Sequence, residues 1–265
     1  MNFNFKGLTN DILVEDFYVI KTSKPLTEKY LDKTNEVNVL LDFLFLDQDV
    51  MVKPREFKFE DQRLVSSFKV LLGYESLEQN KLEKKHLPII ADGIKKFHSL
   101  TVSTVTIKSF DYLAFLEFFE NNINKLIYEL SFEIKEIKEE IKLLKNLEKV
   151  ISHNDLVPGN ILFKGDELKF IDYDYVKFND KFFDYASFIT ETCNDNQEFI
   201  DEFIEILKEK EMLKEDELKY LNISIKYQDI VWTLWANYMF ENTGEQIYKD
   251  ICDEKYLRIK NRIKI

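Results

Sequence analysis

Residues 153–175, HNDLVPGNILFKGDELKFIDYDY, set two short apolar runs among acidic and amide side chains. The runs ILF and LKFI have the length of strands, and Gly165-Asp166 between them is a frequent two-residue hairpin turn. Antiparallel pairing brings Asn160, where the first strand begins, beside Asp172, where the second strand ends. The sequence therefore predicts a hairpin with polar side chains gathered at its open end.

These polar side chains are of the types used in phosphoryl transfer. Asp172 and Asn160 offer hard oxygen ligands suited to Mg²⁺, which keeps few protein ligands and also binds phosphate oxygens. Asp155, ahead of the first strand, is placed to orient a hydroxyl group and accept its proton. The reaction needs little more than positioning, metal ions and charge neutralisation. The alternative is a hairpin with polar ends and no chemistry, because the spacing H-x-D-x-x-x-x-N also occurs by chance.

The chain on either side of the hairpin predicts two kinds of structure. Apolar runs between turn residues predict strands near the N-terminus, and apolar residues at steps of three and four predict helices. The expected strands are 3–5, 12–14, 17–21 and 64–72. The expected helices are 35–46, 87–100, 113–147 (which Asn121-Asn122 can divide) and several after 182. We therefore expect an α+β protein with a small β-rich N-terminal lobe, 1–70, and a larger helical lobe, 71–265.

The N-terminal lobe contains candidates for nucleotide binding. Lys21 ends a predicted strand and is placed to reach phosphates, and Glu36 begins a predicted helix and can hold Lys21 by an ion pair. The turn Gly7-Leu8-Thr9-Asn10 can offer backbone N–H groups to phosphate. The ordinary alternative is that Lys21 and Glu36 are surface residues, and the turn lacks a full G-x-G-x-x-G pattern.

Composition excludes several classes of protein. Hydrophobic residues make up 45% of the 265 residues, which is enough for a packed core. The net charge of −12 disfavours nucleic acids and anionic membranes as partners. Cys193 and Cys252 lack metal-ligand spacing, and no long apolar run or secretory leader is recognisable. We therefore expect a cytoplasmic protein with no membrane insertion and no nucleic-acid partner.

The order of these motifs resembles the aminoglycoside phosphotransferase and choline kinase superfamily, and within it the choline/ethanolamine kinases most. The resemblance implies a two-lobed, protein-kinase-like fold and the use of ATP and Mg²⁺. It rests on Gly7-Leu8-Thr9-Asn10, His153-Asn154-Asp155, Gly159-Asn160-Ile161-Leu162, Ile171-Asp172-Tyr173-Asp174-Tyr175, Phe183-Asp184-Tyr185-Ala186 and Glu191. Asp174 stands where relatives usually have Glu, and Thr192 stands where an aromatic residue is common.

The resemblance also implies roles for individual residues. Asp155 would be the catalytic base or hydroxyl-positioning residue, and His153 would brace the catalytic loop. Asn160 and Asp172 would hold Mg²⁺. The remaining implied residues, Gly7, Thr9, Asn10, Lys21 and Glu36, would bind the nucleotide.

The acceptor is suggested by the segment that contains both tryptophans of the chain. Trp232 and Trp235 share a helix face, which Tyr238 continues. A quaternary ammonium has no N–H to donate, so aromatic faces and a nearby carboxylate recognise it best. Choline kinases have a W-x-L-W segment of this kind, and Glu191 matches the accompanying carboxylate. The alternative is that the aromatic stripe only packs in a core.

The sequence therefore predicts a choline kinase that transfers the γ-phosphate of ATP to choline. One alternative is another small-molecule kinase, for ethanolamine or for an aminoglycoside, although an aminoglycoside site would be lined by carboxylates rather than by paired tryptophans. A nucleotide-binding pseudokinase is disfavoured, because Asp155 and Asp172 are both present. The preference between choline and ethanolamine, the preference between ATP and GTP, and the oligomeric state are left open.

Overall fold

A computed structural model describes residues 3–262 and 265, with the side chains of 7–262 and 265. The chain divides into two compact units. The first contains the described residues up to Ser109 together with Val150–Phe178, and the second contains Phe110–Lys149 and the chain from Asn179 onward. We expected a lobe boundary after residue 70. The division differs from that boundary in that the predicted catalytic hairpin belongs to the same unit as the N-terminal strands.

The secondary structure mixes short strands with helices. The strands are β1 (Phe3–Lys6), β2 (Asn10–Glu15), β3 (Tyr18–Ser23), β4 (Pro54–Glu60), β5 (Arg63–Lys69), β6 (Glu75–Ser76), β7 (Val150–Ser152), β8 (Ile161–Lys164), β9 (Glu167–Phe170) and β10 (Lys177–Asn179). The α-helices are α1 (Lys33–Phe45), α2 (His86–His98), α3 (Tyr112–Asn122), α4 (Ser131–Glu140), α5 (Phe182–Ser187), α6 (Gln197–Glu209), α7 (Leu218–Thr243) and α8 (Gln246–Asn261).

The N-terminal strands form a five-stranded antiparallel sheet in the order β1-β2-β3-β5-β4. The predicted strands are confirmed, and β2 and β3 pair in register with Glu15 opposite Tyr18. Asp16, in the tight turn between them, has a φ of 53°, a left-handed conformation that Asp tolerates better than most residues. The edge strand β4 was not predicted. Most of its residues are exposed and several are charged, so it has neither an apolar run nor a buried face.

The predicted hairpin is confirmed as β8 and β9. Ile161 lies opposite Phe170, and Lys164 lies opposite Glu167, so Gly165 and Asp166 form the two-residue turn. Behind the hairpin, α2 approaches closely through Gly93. A Cβ at Gly93 would lie 2.0 Å from Leu168 Cδ2, so only glycine allows this approach without rearrangement. The hairpin that carries the candidate catalytic residues is thus fixed against a helix of the same unit.

The second unit is helical and centres on α7, which has buried residues along most of its length. The helices α3, α4, α5 and α8 pack against it. The amphipathic segment predicted at 113–147 is α3 and α4, and α3 ends at Asn122, as the Asn pair indicated. Within residues 3–262, none of the helices is both long enough and apolar enough to cross a membrane.

Candidate active site

The loop between β7 and β8 brings Asp155 and Asn160 together. A single helical turn, Pro158–Asn160, folds the chain back. Asn160 Nδ2 then donates to Asp155 Oδ2 at 2.9 Å and to the Asp155 carbonyl oxygen at 3.0 Å. These bonds fix the orientation of the Asn160 amide. Among the described residues, no hydrogen-bond donor reaches its Oδ1, which is therefore available as an oxygen ligand.

Two residues brace this loop from behind. His153 is fully buried, and its Nε2–H donates to the Ile171 carbonyl oxygen at 2.9 Å. Asn154, with a φ of 61°, donates from Nδ2 to the Tyr175 carbonyl oxygen at 2.9 Å. Both bonds join the loop to the segment that carries Asp172. The burial of His153 supports the bracing role that the resemblance implied.

Asp172 follows the end of β9 and faces the same end of the hairpin as Asn160. The Ile171 N–H donates to the Asn160 carbonyl oxygen at 3.1 Å, which places Asp172 one residue beyond Asn160 across the strand pair. Its φ of 69° is a left-handed conformation in which Asp is enriched. The side chain keeps 24% of its surface exposed. Burial and the nearby Asp174 raise the pKa of Asp172.

The oxygen donors at this end of the hairpin fit a magnesium ion. Within residues 7–262, no group of three or more His, Cys, Asp or Glu side chains is arranged to hold a metal. Mg²⁺ bound with a nucleotide does not need such a group, because one or two protein oxygens and the phosphates suffice. Asn160 Oδ1 and the Asp172 carboxylate are hard oxygen donors of that kind.

Lys21 of β3 lies between two carboxylates. Its Nζ is 2.5 Å from Asp172 Oδ1 and 3.0 Å from Asp174 Oδ1. Burial alone would lower the pKa of Lys21, but the adjacent carboxylates outweigh it and the pKa is raised. Lys21 is therefore a fixed positive charge beside the candidate metal ligand.

Asp174 is the centre of this buried charge cluster. Its Oδ2 accepts a hydrogen bond from Asn10 Nδ2 at 2.7 Å, and its Oδ1 lies 3.6 Å from Lys33 Nζ as well as close to Lys21. Burial opposes its ionisation, but the two lysines outweigh burial and hold the pKa of Asp174 below its usual range. Sequence reasoning gave Asp174 and Lys33 no role, because the contacts join parts of the chain far apart in sequence.

Glu36 has a different partner from the one expected. It pairs with Lys33, one turn earlier on α1, with 2.7 Å between Lys33 Nζ and Glu36 Oε2. The expected ion pair between Lys21 and Glu36 is therefore wrong, since Lys21 pairs with Asp172 and Asp174 instead. Burial, and next Asp174, raise the pKa of Glu36 to about 7. Glu36 belongs to the cluster through Lys33.

The turn at Gly7 is held by several contacts. Lys24 Nζ donates to the Gly7 carbonyl oxygen at 2.5 Å, and the Lys24 N–H donates to the Thr9 carbonyl oxygen at 3.2 Å. Asn10 ties the end of the turn to Asp174. A Cβ at Gly7 would lie 2.8 Å from the Asn10 carbonyl oxygen, so the turn requires glycine there. The turn and Lys21 thus share Asp174 as a common anchor.

In the second unit, the two tryptophans are in contact on α7. Their ring centroids are 6.1 Å apart and the rings are nearly perpendicular. Trp235 is 7% exposed and packs edge-on against Tyr248 of α8, with 5.6 Å between centroids. Trp232, which is half-buried, contacts Phe115 of α3. Tyr238 is almost fully buried against the Phe118 and Phe119 side chains of α3.

Glu191 is already paired inside the second unit. Lys255 Nζ lies 2.5 Å from its Oε2, Arg258 Nη1 lies 3.9 Å from its Oε1, and the Thr190 hydroxyl donates to Oε1 at 3.1 Å. Burial would raise the pKa of Glu191, but the two cations outweigh it and the pKa is lowered. Sequence reasoning predicted the carboxylate but not Lys255 or Arg258, which follow it by more than sixty residues.

Comparison with known proteins places the chain in a family. A family model described as choline/ethanolamine kinase matches residues 68–256. The chain belongs to the choline/ethanolamine kinase family. One curated relative is Protein LicA of Haemophilus influenzae, which is 34% identical over 97 residues, a stretch covering 35% of this chain and 36% of that protein. The chain thus spans little more than a third of the length of that relative.

Solved structures show the fold of this choline/ethanolamine kinase family member. A choline/ethanolamine kinase family protein from Mesorhizobium loti has a TM-score of 0.78 at 16% identity, covering 98% of this chain and 87% of that one. The choline kinase LicA from Streptococcus pneumoniae has a TM-score of 0.77 at 20% identity, covering 98% and 92%. The predicted α+β, protein-kinase-like fold is confirmed.

Proposed function

We propose that the protein is an ATP- and Mg²⁺-dependent kinase that transfers the γ-phosphate to the hydroxyl of choline and releases phosphocholine. The observation that carries the proposal is the grouping of Asp155, Asn160 and Asp172 at the open end of one hairpin, with Lys21 against Asp172. A base, two hard oxygen ligands and a fixed cation are the parts that phosphoryl transfer uses.

Each residue has a distinct task in this proposal. Asp155 orients the acceptor hydroxyl and accepts its proton as the oxygen attacks the γ-phosphorus of ATP and ADP leaves, and the hydrogen bond from Asn160 keeps the Asp155 carboxylate in place. Lys21 supplies positive charge to the phosphates. Asn160 and Asp172 would hold Mg²⁺, which when bound neutralises charge on the phosphates. Gly7, Thr9 and Asn10 would line the phosphate-binding turn.

The acceptor assignment rests on the aromatic side chains of the second unit. Trp232 is half-buried and offers the more accessible aromatic face, Trp235 contacts it edge-on but is 7% exposed, and Tyr238 is buried further along the same helix. Aromatic faces attract a quaternary ammonium without hydrogen bonds, which suits choline. Glu191 would add negative charge. Ethanolamine, whose ammonium can donate hydrogen bonds, and an aminoglycoside are the competing acceptors.

The roles of the two lobes, the cellular location and the kind of partner belong to the same proposal. We assign nucleotide binding to the N-terminal lobe, 1–70, and acceptor binding and catalysis to the remainder, 71–265. The expected location is cytoplasmic, and the expected partner is a small molecule rather than nucleic acid or membrane. The net charge of −12, which repels phosphate polymers and anionic lipids, supports this.

An acceptor panel tests the proposal. ADP release with ATP and Mg²⁺ is measured with choline, ethanolamine, an aminoglycoside or no acceptor, for the wild type and for Asp155→Ala. We expect turnover to be highest with choline and lower by about 10²–10⁴-fold in Asp155→Ala. Asn38→Ala, which removes an exposed amide bonded to the Thr106 carbonyl oxygen, is the matched control and should behave as wild type. Turnover with only an aminoglycoside, or with none of the acceptors, contradicts the choline assignment.

A further inference from the structure

The ion pair between Glu191 and Lys255 is shielded from solvent. Lys255 of α8 is 4% exposed, and its Nζ lies 2.5 Å from Glu191 Oε2. Glu191 lies in a short π-helical turn, Phe188–Thr192, that follows α5. Arg258, one turn further along α8, is a second cation near the same carboxylate. The negative charge of Glu191 is therefore compensated within the protein before any acceptor arrives.

The Glu191–Lys255 pair lies close to the part of α7 that precedes the tryptophans. Thr190, next to Glu191, lies within 3.5 Å of Gln228, and Trp232 is one helical turn beyond Gln228. On α8, Lys255 lies two turns beyond Tyr248, the residue that packs on Trp235. Two turns of an α-helix span about 10 Å, so the separation along α8 between Lys255 and the residue that contacts Trp235 is of that order.

The ion pair with Lys255 changes how strongly the Glu191 carboxylate can attract a cationic acceptor. An unpaired Glu191 would attract a cationic acceptor, whereas the pair with Lys255 leaves little net attraction. Arg258 adds little net charge of its own, because it is also paired with Asp195 and Glu254. Lys255 also lies 3.9 Å from the exposed Glu254, but its contact with Glu191 is much shorter, so Lys255 is the main cation that decides whether Glu191 acts as a negative charge on the acceptor.

We propose that Lys255 is a specificity-determining residue: by pairing with Glu191 it limits the affinity of the acceptor site for a cation and leaves recognition mainly to the aromatic faces of Trp232 and Trp235. This inference rests on the proposed choline kinase function, because it assigns the acceptor to that region. It predicts that removing the Lys255 charge tightens the binding of a quaternary ammonium.

The test uses tetramethylammonium, which has the charged head of choline but no hydroxyl to be phosphorylated. Because both tryptophans of the chain lie in α7, their fluorescence reports binding in this region. We expect Lys255→Met to bind tetramethylammonium about tenfold more tightly than wild type, the effect of one unit charge about 10 Å away at an effective dielectric constant of about 20. Lys255→Arg, which keeps the charge, should bind as wild type does.

Lys260→Met is the matched control, because it removes an equal charge from α8 where Lys260 pairs with Glu133 near the surface. It should change the affinity by less than about twofold. An unchanged affinity in Lys255→Met, or an equal gain in Lys260→Met, overturns the inference. Failure of the wild type and every variant to bind the probe overturns it as well.

A second comparison applies if Lys255→Met, which leaves a buried carboxylate without its main partner, does not fold. Glu191→Gln and the double variant Glu191→Gln/Lys255→Met differ only in Lys255, and neither has an uncompensated carboxylate. We expect about tenfold tighter binding in the double variant, and equal binding overturns the inference. Choline turnover by the wild type is measured separately. If turnover is absent while the variants differ in binding, the choline kinase proposal fails and the electrostatic role of Lys255 stands.

Discussion

The substitution Asp174→Asn tests the buried charge cluster most severely. It keeps the size of the side chain and an oxygen that can accept the hydrogen bond from Asn10, but it removes the negative charge 3.0 Å from Lys21 Nζ and 3.6 Å from Lys33 Nζ. Asp174 and both lysines are buried, so water does not replace the lost charge. The two ammonium groups are then left with Asp172 and Glu36.

The expected loss can be worked out from these contacts. Removing one partner of a buried ion pair typically costs about 3–5 kcal/mol. Part of this is offset, because Asp174 helps to raise the pKa of Glu36, and its removal makes the Glu36 carboxylate easier to ionise. We therefore expect the lower end, about 3 kcal/mol in the free energy of unfolding at pH 7. The Michaelis constant for ATP should rise by about tenfold or more, because Lys21 loses one of the two carboxylates that hold it in place.

The loss of stability in Asp174→Asn should also depend on pH, in a direction that the pKa shifts determine. The lysines hold the pKa of Asp174 below its ordinary value, so its stabilisation is fully present above the ordinary carboxyl range. It is lost as the pH falls through the folded-state value. Asp174 also helps to raise the pKa of Glu36 to about 7, so as the pH falls through 7 Glu36 gains a proton in the wild type before it does in Asp174→Asn, which favours the wild type. The difference between wild type and Asp174→Asn should therefore be constant above about pH 8, widen as the pH falls through about 7, and shrink only in strongly acidic solution.

Urea unfolding and steady-state kinetics measure both effects. Asp11→Asn is the matched control, because Asp11 pairs with Arg63 at 2.7 Å in the same sheet but is exposed. It should cost less than about 1 kcal/mol. Asp174→Glu keeps the charge and should retain most of the stability. A loss below 1 kcal/mol in Asp174→Asn, or a loss equal to that of the Asp11 control, would refute this account of the cluster.

Two further substitutions test the hairpin and its ligands. Gly93→Ala places a Cβ 2.0 Å from Leu168 Cδ2, so urea unfolding should show a loss of about 1–3 kcal/mol despite the better helix propensity of Ala. The control Lys95→Ala, on the exposed face of α2, should cost little. A Gly93→Ala protein more stable than wild type would show that α2 does not approach the hairpin closely. Asn160→Ala removes the Oδ1 ligand and the hydrogen bonds to Asp155, so the Mg²⁺ concentration for half-maximal activity should rise by at least about tenfold. An unchanged Mg²⁺ requirement would show that Asn160 is not a ligand.

The parts that sequence predicted well depend on local patterns. The hairpin of β8 and β9 was predicted because strand length, turn residues and register are set within a few residues. The end of α3 at Asn122 was indicated by the Asn pair. The N-terminal strands followed from short apolar runs between turn residues, whereas the exposed edge strand β4 was missed because it buries no face.

The parts that sequence did not predict depend on pairing between distant segments. Lys21 meets Asp174 across 153 positions of the chain, so its choice of carboxylate depends on the folded arrangement. The same reason explains why Glu36 was assigned to the wrong lysine. Lys255 meets Glu191 across 64 positions. In the sequence, Asp174 was marked only by its position two residues after Asp172, and this position did not indicate that Lys21 would be its partner.

The most direct test of the proposed function is to identify the phosphorylated product. Purified protein is incubated with ATP, Mg²⁺ and choline, and ³¹P nuclear magnetic resonance follows the loss of the γ-phosphate signal and the appearance of product. We expect a phosphomonoester signal that coincides with added phosphocholine for wild type and is absent for Asp155→Ala over the same period. Conversion of ATP to ADP with only inorganic phosphate appearing, or phosphocholine formed equally well by Asp155→Ala, would contradict it.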